Sequence, residues 1–298
     1  MTQNVPQKAA LSRARFEERF FGVARWIVIA FLAVITLLPF YYMVLLSLKP
    51  IDALLLDPGS LWISAKDFTL STYQDVLRST DDGGQGFLKF LVNSALVSLG
   101  TVALTLVAAV PGAYAVSRLK FFGHRQVSAL FLAVYMFPAT LLAVPLFVIF
   151  AKIGLSSSLV GLAIVYVAQT VPVSIYMLKN YLVTIPASIE EAAALDGCSR
   201  LQTVRKVILP LALPSLMATG LYVFMIAWNE FLFALLFLAA DPGQWTVSLG
   251  LAQLSNGIEV PKTILMAGSV VLTIPVVLLF FAAERLLTEG LTSGADKS

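Results

Sequence analysis

Glu190-Glu191-Ala192-Ala193-Ala194-Leu195-Asp196-Gly197, followed nine residues later by Val207-Ile208-Leu209-Pro210, is a short charged interruption in an otherwise apolar chain. Ser188-x-x-Glu191 and Ser199-x-x-Gln202 both have the spacing of a capping box, and Gly197 lies between them as a stop signal. The stretch therefore predicts two short helices joined by a sharp turn. Ile185, Ile189, Ala192 and Ala193 fall on one face of the first helix. Leu201, Val204 and Ile208 share a face of the second by i, i+3, i+7 spacing. Such stripes need burial, and Pro210 is expected to fix where the second helix ends. Two readings stand for Glu190, Glu191 and Asp196: ion pairing with a cationic partner surface, or capping and compensation of the helix dipole. A third reading lays the hairpin on lipid headgroups.

Outward from this interruption the sequence is built for a bilayer. Hydrophobic residues make up 59% of the chain and charged residues only 12%, with a mean hydropathy of +0.88, beyond the range of a soluble domain of this length. A hydrocarbon core of roughly 30 Å needs about 20 apolar residues per helix. That ruler predicts six spans: Trp26 to Leu48, Leu91 to Val116, Val127 to Ala151, Leu159 to Leu182, Leu211 to Ala239 and Ile264 to Ala283. The expected fold is all-α integral membrane, with residues 1–24 as a tail, 25–48 as the first span, 49–89 as an outer segment, and 287–298 as a second tail.

Lysine and arginine set the orientation. The leading tail, Arg118 with Lys120 and Arg125, and Arg200 with Arg205 and Lys206 mark cytoplasmic loops, while Asp52, Asp57, Asp67, Asp75, Asp81 and Asp82 mark the outer segment. Both termini are thus expected in the cytoplasm. The first apolar run is longer than a signal-peptide core and lacks a small-residue cleavage site, so it is expected to be retained. Pro39, Pro111, Pro138, Pro145, Pro172, Pro214 and Pro275 lie in or near the spans. They are read either as kinks that bend the bundle around an interior or as ordinary packing kinks.

Several chemistries are excluded. The net charge of +3, with basic residues placed at membrane edges, argues against nucleic acid as a partner. Cys198 and His124 are the sole cysteine and histidine, too few for a disulfide, a metal site or a catalytic constellation. Without a phosphate-binding loop or nucleophile elbow, no cofactor is expected in this chain. Any uphill transport must draw on a partner or an ion gradient.

Polar residues within the spans are the remaining candidates. Glu230, in Trp228-Asn229-Glu230, is a carboxylate at membrane depth and is read either as part of a solute pathway or as interhelical glue. Asn93, Gln169 and Asn229 are further polar candidates, and Tyr222 an aromatic one, since sugar rings stack on aromatic faces.

The Glu191-Ala192-Ala193 run, with Gly197 and Val207-x-Leu209-Pro210 at their spacings, resembles the EAA loop of ATP-binding-cassette importer permeases, Val207 standing where the family usually has Ile. Asn93-Ser94, Tyr114-Ala115-Val116-Ser117-Arg118-Leu119 before Phe122-Gly123, Trp228-Asn229-Glu230 and Gly290-Leu291-Thr292-Ser293-Gly294-Ala295 resemble the maltose-type, carbohydrate-uptake subfamily. The resemblance implies a type I importer permease fold over residues 90–286 in the bacterial inner membrane, with a coupling loop at 185–209. It also implies a companion permease subunit, two cytoplasmic ATPase subunits that bind ATP and magnesium, and an extracytoplasmic sugar-binding protein. Coupling then falls to Glu190, Glu191, Ala192, Ala193, Asp196, Gly197, Leu209 and Pro210. Gly290 to Ser298 would contact the ATPases and Asp241 to Lys262 would reach the binding protein. A di- or oligosaccharide is the implied cargo, with glycerol-3-phosphate or a polyol as alternatives. An ion-coupled secondary carrier is the rival from another class, predicting inverted repeats and paired intramembrane charges.

Overall fold

The first element, α1 (Pro6–Ser47), runs unbroken through the boundary expected near residue 24, because nothing between Pro6 and Pro39 removes a helical hydrogen bond. The computed structural model describes residues 6–256 and 261–295, nearly all helical and with no strand among them. These residues fall into two compact units, one of residues up to 72 with 261–270, the other of 73–260 with 271 onward.

In the first unit the stretch Arg19–Ser47 of α1 is long and apolar enough to cross a membrane, yet none of its most apolar part is buried inside the chain. It must meet lipid or another protein. The short α2 (Ile51–Leu56) follows Pro50. The segment beyond it folds back on the end of α1 through Lys49 Nζ donating to the Ser60 carbonyl at 3.0 Å and Thr69 N–H donating to the Leu48 carbonyl at 3.0 Å. Lys49 is buried by this arrangement.

The division between the units falls within α3 (Ser71–Leu77), and a 3₁₀ turn follows, Thr80–Asp82, which ends at Gly83 with φ of 79°, a conformation open to glycine. The long α4 (Phe87–Arg118) buries a face of small and hydroxyl side chains: Ser94, Ser98, Thr101, Thr105, Ala109 and Ala113. These recur every three to four residues, so one stripe of the helix admits a neighbouring backbone closely. That neighbour is α7 (Leu159–Leu182), and Thr105 and Thr170 join their hydroxyls across the seam at 2.8 Å.

Between them lie α5 (His124–Met136) and α6 (Ala143–Lys152), where one continuous span was expected over Val127 to Ala151. The two helices bend by 81° at the break. The cause is local: Phe137 precedes Pro138 and takes an extended conformation, as residues before proline do, and a 3₁₀ turn, Ala139–Leu142, follows.

After α7 come α8 (Ala187–Leu195), α9 (Arg200–Thr203), a π-helical turn at Val204–Ile208, and α10 (Leu209–Leu211). The span expected over Leu211 to Ala239 is also divided, into α11 (Leu213–Asn229) and α12 (Leu232–Leu238). A 3₁₀ turn at Pro242–Gln244 leads to α13 (Val247–Asn256), and α14 (Lys262–Ala295) closes the described chain. Residues 257–260, within the segment expected to reach the binding protein, and 296–298, at the end of the expected tail, lie outside the described residues.

Among the described residues four helices are thus long and apolar enough to cross a membrane alone, and up to six if each sharply bent pair counts as one. Pro39, Pro111, Pro172 and Pro275 sit inside uninterrupted helices. The sharp bends fall instead beside Pro138 and Pro214.

Candidate functional site

The predicted hairpin is present, with corrections at its ends. Its first helix starts one residue before the Ser188 capping box: α8 begins at Ala187 behind an extended Pro186, with no side-chain cap. Ser188 is thus already inside the helix. The second capping box does form, Ser199 Oγ accepting from Gln202 N–H and Gln202 Oε1 accepting from Ser199 N–H at 2.8 Å. Between the two, Cys198 N–H donates to the Ala193 carbonyl and Gly197 N–H to the Ala194 carbonyl. This 6→1 and 5→2 pair is a Schellman closure. It requires a left-handed residue, and Gly197 supplies it with φ of 81°.

Pro210 does not end the second helix. The preceding turn widens to a π-helix, with Leu209 N–H donating to the Val204 carbonyl, and the helix continues through Pro210 to Leu211. The turn comes at Ala212, where the axis bends by 76° into α11, next to Leu213-Pro214.

Ile185, Ala193, Ile208 and Ala212 are buried with Ala109, Ala113 and Leu178 in one apolar cluster, so the hairpin is seated on α4 and α7. Burying an isoleucine side chain stabilises by about 1.5–3 kcal/mol, and Ile185 and Ile208 hold the two ends of the hairpin. Ala192 is exposed and does not join its expected stripe, and neither does Leu201. It is 76% exposed and Leu195 is 89% exposed, so two large apolar side chains project away from the bundle.

Glu190 and Glu191 diverge. Glu190 turns inward, its Oε1 2.6 Å from Arg118 Nε as an ion pair and its Oε2 accepting from Tyr114 Oη–H at 2.8 Å. Arg118 Nη2 also donates to the Ile185 carbonyl at 2.7 Å. Both charged side chains are mostly shielded. Glu191, Ala192, Asp196 and Pro210 are exposed, Ala193 is buried and Leu209 is half-buried. Tyr114 and Arg118 entered the sequence reading as part of a motif and as a topology marker, not as anchors of the hairpin. Their i, i+4 spacing near the end of α4 was the available signal, since it aims both at one patch.

The polar residues expected in the spans separate into two groups. Gln169 and Tyr222 line one cleft of about 880 Å³ at the α5–α6 bend, together with Tyr135, Leu146, Thr170 and Phe233. Tyr222 shares a hydrogen bond with Tyr135. Gln169 Nε2 is out of solvent contact and has no hydrogen-bond partner among the described residues. Asn93, Asn229 and Glu230 are elsewhere. Asn93 Nδ2 donates to the carbonyls of Gly243 and Trp245 at 3.1 and 2.9 Å, and Asn229 Nδ2 donates back to the Met225 carbonyl.

Glu230 sits at a helix break rather than within a helix. Its carboxylate accepts from the N–H groups of Phe233 and Ala234 at 2.9 and 3.1 Å and from Tyr166 Oη–H at 2.6 Å, while Ser248 Oγ donates to its backbone carbonyl. A charge at this depth is tolerable because the first N–H groups of α12 and a tyrosine satisfy it.

Comparison with known proteins gives the family of this helical chain. Residues 84–292 match the family described as the inner membrane component of binding-protein-dependent transport systems. The chain belongs to that family. Its members are the non-catalytic membrane component of ATP-binding-cassette importers, working with separate ATPase and binding-protein components, which sets aside the ion-coupled carrier.

The chain is 38% identical over 272 residues to the trehalose/maltose transport system permease protein MalG of Thermococcus litoralis, covering 89% of this chain and 93% of the relative. It is 36% identical to the trehalose transport system permease protein SugB of Mycobacterium tuberculosis, covering 88% and 92%. Among solved structures, a bacterial ABC transporter involved in import of the acidic polysaccharide alginate has a chain that superposes with a TM-score of 0.76 at 25% identity, covering 90% of this chain and 97% of that one.

Proposed function

We propose that this permease carries a di- or oligosaccharide across the bacterial inner membrane as one of a pair of membrane subunits, driven by ATP and magnesium bound in two separate cytoplasmic ATPase subunits. The names of the MalG and SugB relatives support the sugar class. Six spans follow when α5 with α6 and α11 with α12 each count as one crossing beside the four long apolar helices. With the basic loops inside, both termini and the α8–α9 hairpin lie in the cytoplasm and the 49–89 segment outside.

One observation carries the reading: the hairpin is closed at Gly197, pinned to α4 through Glu190, and continuous through α10 with the root of α11. A stiff arm of this kind hands motion of a docked ATPase to a spanning helix. Leu195 and Leu201 are the apolar contacts that the ATPase would bury, with Glu191, Ala192 and Asp196 around them. Binding protein outside and nucleotide inside would each bias one rigid-body equilibrium, since a ligand shifts states only by its unequal affinity for them.

On this reading the cleft at Gln169 and Tyr222 is this subunit's share of the sugar pathway. The 13 residues of α5 place it about 20 Å of helix away from the basic loop, within the hydrocarbon depth. Asn93 and Glu230 then shape the bundle rather than touch sugar. The test is reconstitution of the assembled transporter with its binding protein and labelled trehalose or maltose. Uptake that needs ATP inside the vesicle and all four kinds of component supports the proposal. Uptake driven by a proton or sodium gradient with no ATPase subunit overturns it.

A further inference from the structure

A second basic feature lies at the end of the bundle that carries the hairpin, and the coupling role leaves it unused. A groove of about 300 Å³ runs between α5 and α7, lined by Arg125, Ser128, Phe131, Ile175, Tyr176 and Lys179 among others. Arg125 lies in the first turn of α5 and Lys179 in the last turn of α7, so two separate helices bring cations to one spot. No acidic side chain lines the groove. Arg118, the nearby basic residue at the end of α4, is neutralised by Glu190. Neither Arg125 nor Lys179 has a carboxylate within ion-pair distance among the described residues. Lys179 Nζ donates to Ser128 Oγ at 3.0 Å, which aims the ammonium across the groove and leaves two of its protons. The amino end of α5 adds to the positive field, because its cap is Gly123, with no side-chain cap and no acidic residue in the first turn.

The remaining walls are mostly apolar, and along α5 Leu130 is 60% exposed and Leu132, at the groove's rim, 40% exposed. A free anion would gain nothing from such walls. A ligand with an anionic head and a hydrocarbon tail would use both halves. The depth fits as well, since α4 and α7, both long and apolar enough to span, end within a turn of the groove.

We propose that this groove binds the phosphodiester headgroup of an anionic membrane phospholipid, its phosphate between Arg125 and Lys179 and its acyl chain along the exposed face of α5. The assembled transporter is placed in phosphatidylcholine nanodiscs doped with photoactivatable phosphatidylglycerol, or with photoactivatable phosphatidylcholine, and cross-linked peptides are mapped. Phosphatidylglycerol should label α5 and α7 around residues 128–132 and 175–179 in preference to phosphatidylcholine. Labelling should fall by about fivefold for each of Arg125→Gln and Lys179→Gln, and Arg125→Lys should retain it. Arg125 is exposed, so its two variants compare complexes recovered in equal yield. Equal labelling by both lipids, undiminished labelling in the double variant, or displacement by inorganic phosphate at constant ionic strength would each overturn the proposal. The last of these would identify a soluble phosphate site instead.

Discussion

Arg118, in the last turn of α4, holds Glu190 of α8 at 2.6 Å while donating to the Ile185 carbonyl at the approach to the same helix. One guanidinium therefore fixes both where the hairpin starts and how its first helix is rotated. Its planar fork suits that double task, and a lysine could not meet both acceptors in the same geometry.

Removing one partner of a buried ion pair costs roughly 3–5 kcal/mol. With side chains 15% and 18% exposed, Arg118→Ala and Glu190→Ala should fall toward the lower part of that range. The two changes share one interaction, so the double variant should be about 1–3 kcal/mol less damaging than the sum. Thermal melts of the purified complex give the cycle. The accompanying change is loss of coupling: ATP turnover continues while sugar uptake drops. Additive losses would detach Glu190 from Arg118.

Gly197 makes a sharper case, because space is not the issue. A Cβ there meets nothing within 4 Å, yet φ is 81°. A β-branched residue held in this conformation costs on the order of 1–3 kcal/mol. Gly197→Val should keep membrane insertion and abolish uptake, whereas Gly197→Asn, tolerant of left-handed backbone, should retain much of the activity. Membrane fractionation and uptake on the same cells decide between strain and a side-chain contact. Equal loss in both variants would favour a partner that cannot accept any side chain.

Glu230 gives an outcome opposite to a pathway role. Glu230→Ala strands the N–H groups of Phe233 and Ala234 and the Tyr166 hydroxyl, and each unsatisfied buried group costs about 1–3 kcal/mol. Recovery of intact complex should fall in step with transport. Glu230→Gln, which keeps an acceptor oxygen, should fall less. Normal assembly with lost uptake in Glu230→Ala would return the residue to the pathway.

The hairpin was legible because its signals are local: Ser199 with Gln202, and Gly197 between two apolar stripes, act over four or five residues. Ser188 failed as a cap because Pro186 had already fixed the helical start one residue earlier. The breaks at Phe137 and Glu230 were hidden by averaging over long apolar runs, which reports solubility in lipid and not continuity of a helix. Tyr114 and Glu190 are 76 residues apart, and no periodicity within either segment reveals which hydroxyl a carboxylate will meet. Of the five polar residues in the spans, composition could not say that Gln169 and Tyr222 share a cleft while Asn93, Asn229 and Glu230 serve backbone.

Gln169 permits the cleanest separation of structure from function. Its amide nitrogen is buried with no acceptor, an arrangement that costs stability unless something else pairs with it. If the residue were only structural, Gln169→Leu would remove an unpaired donor from an apolar wall and leave the complex as stable or more so, with uptake unchanged. On the pathway reading the Gln169 side chain swings into the cleft and a sugar hydroxyl there supplies the missing acceptor, whose loss is worth about 1–3 kcal/mol. The expected result is normal assembly and normal ATPase binding, with the sugar concentration for half-maximal uptake raised about tenfold or the uptake rate lowered by a similar factor. Tyr222→Phe should reproduce a smaller part of the effect, since Tyr135 retains a hydroxyl beside it. Uptake kinetics in proteoliposomes measure both, and wild-type kinetics in Gln169→Leu would remove the cleft from the pathway.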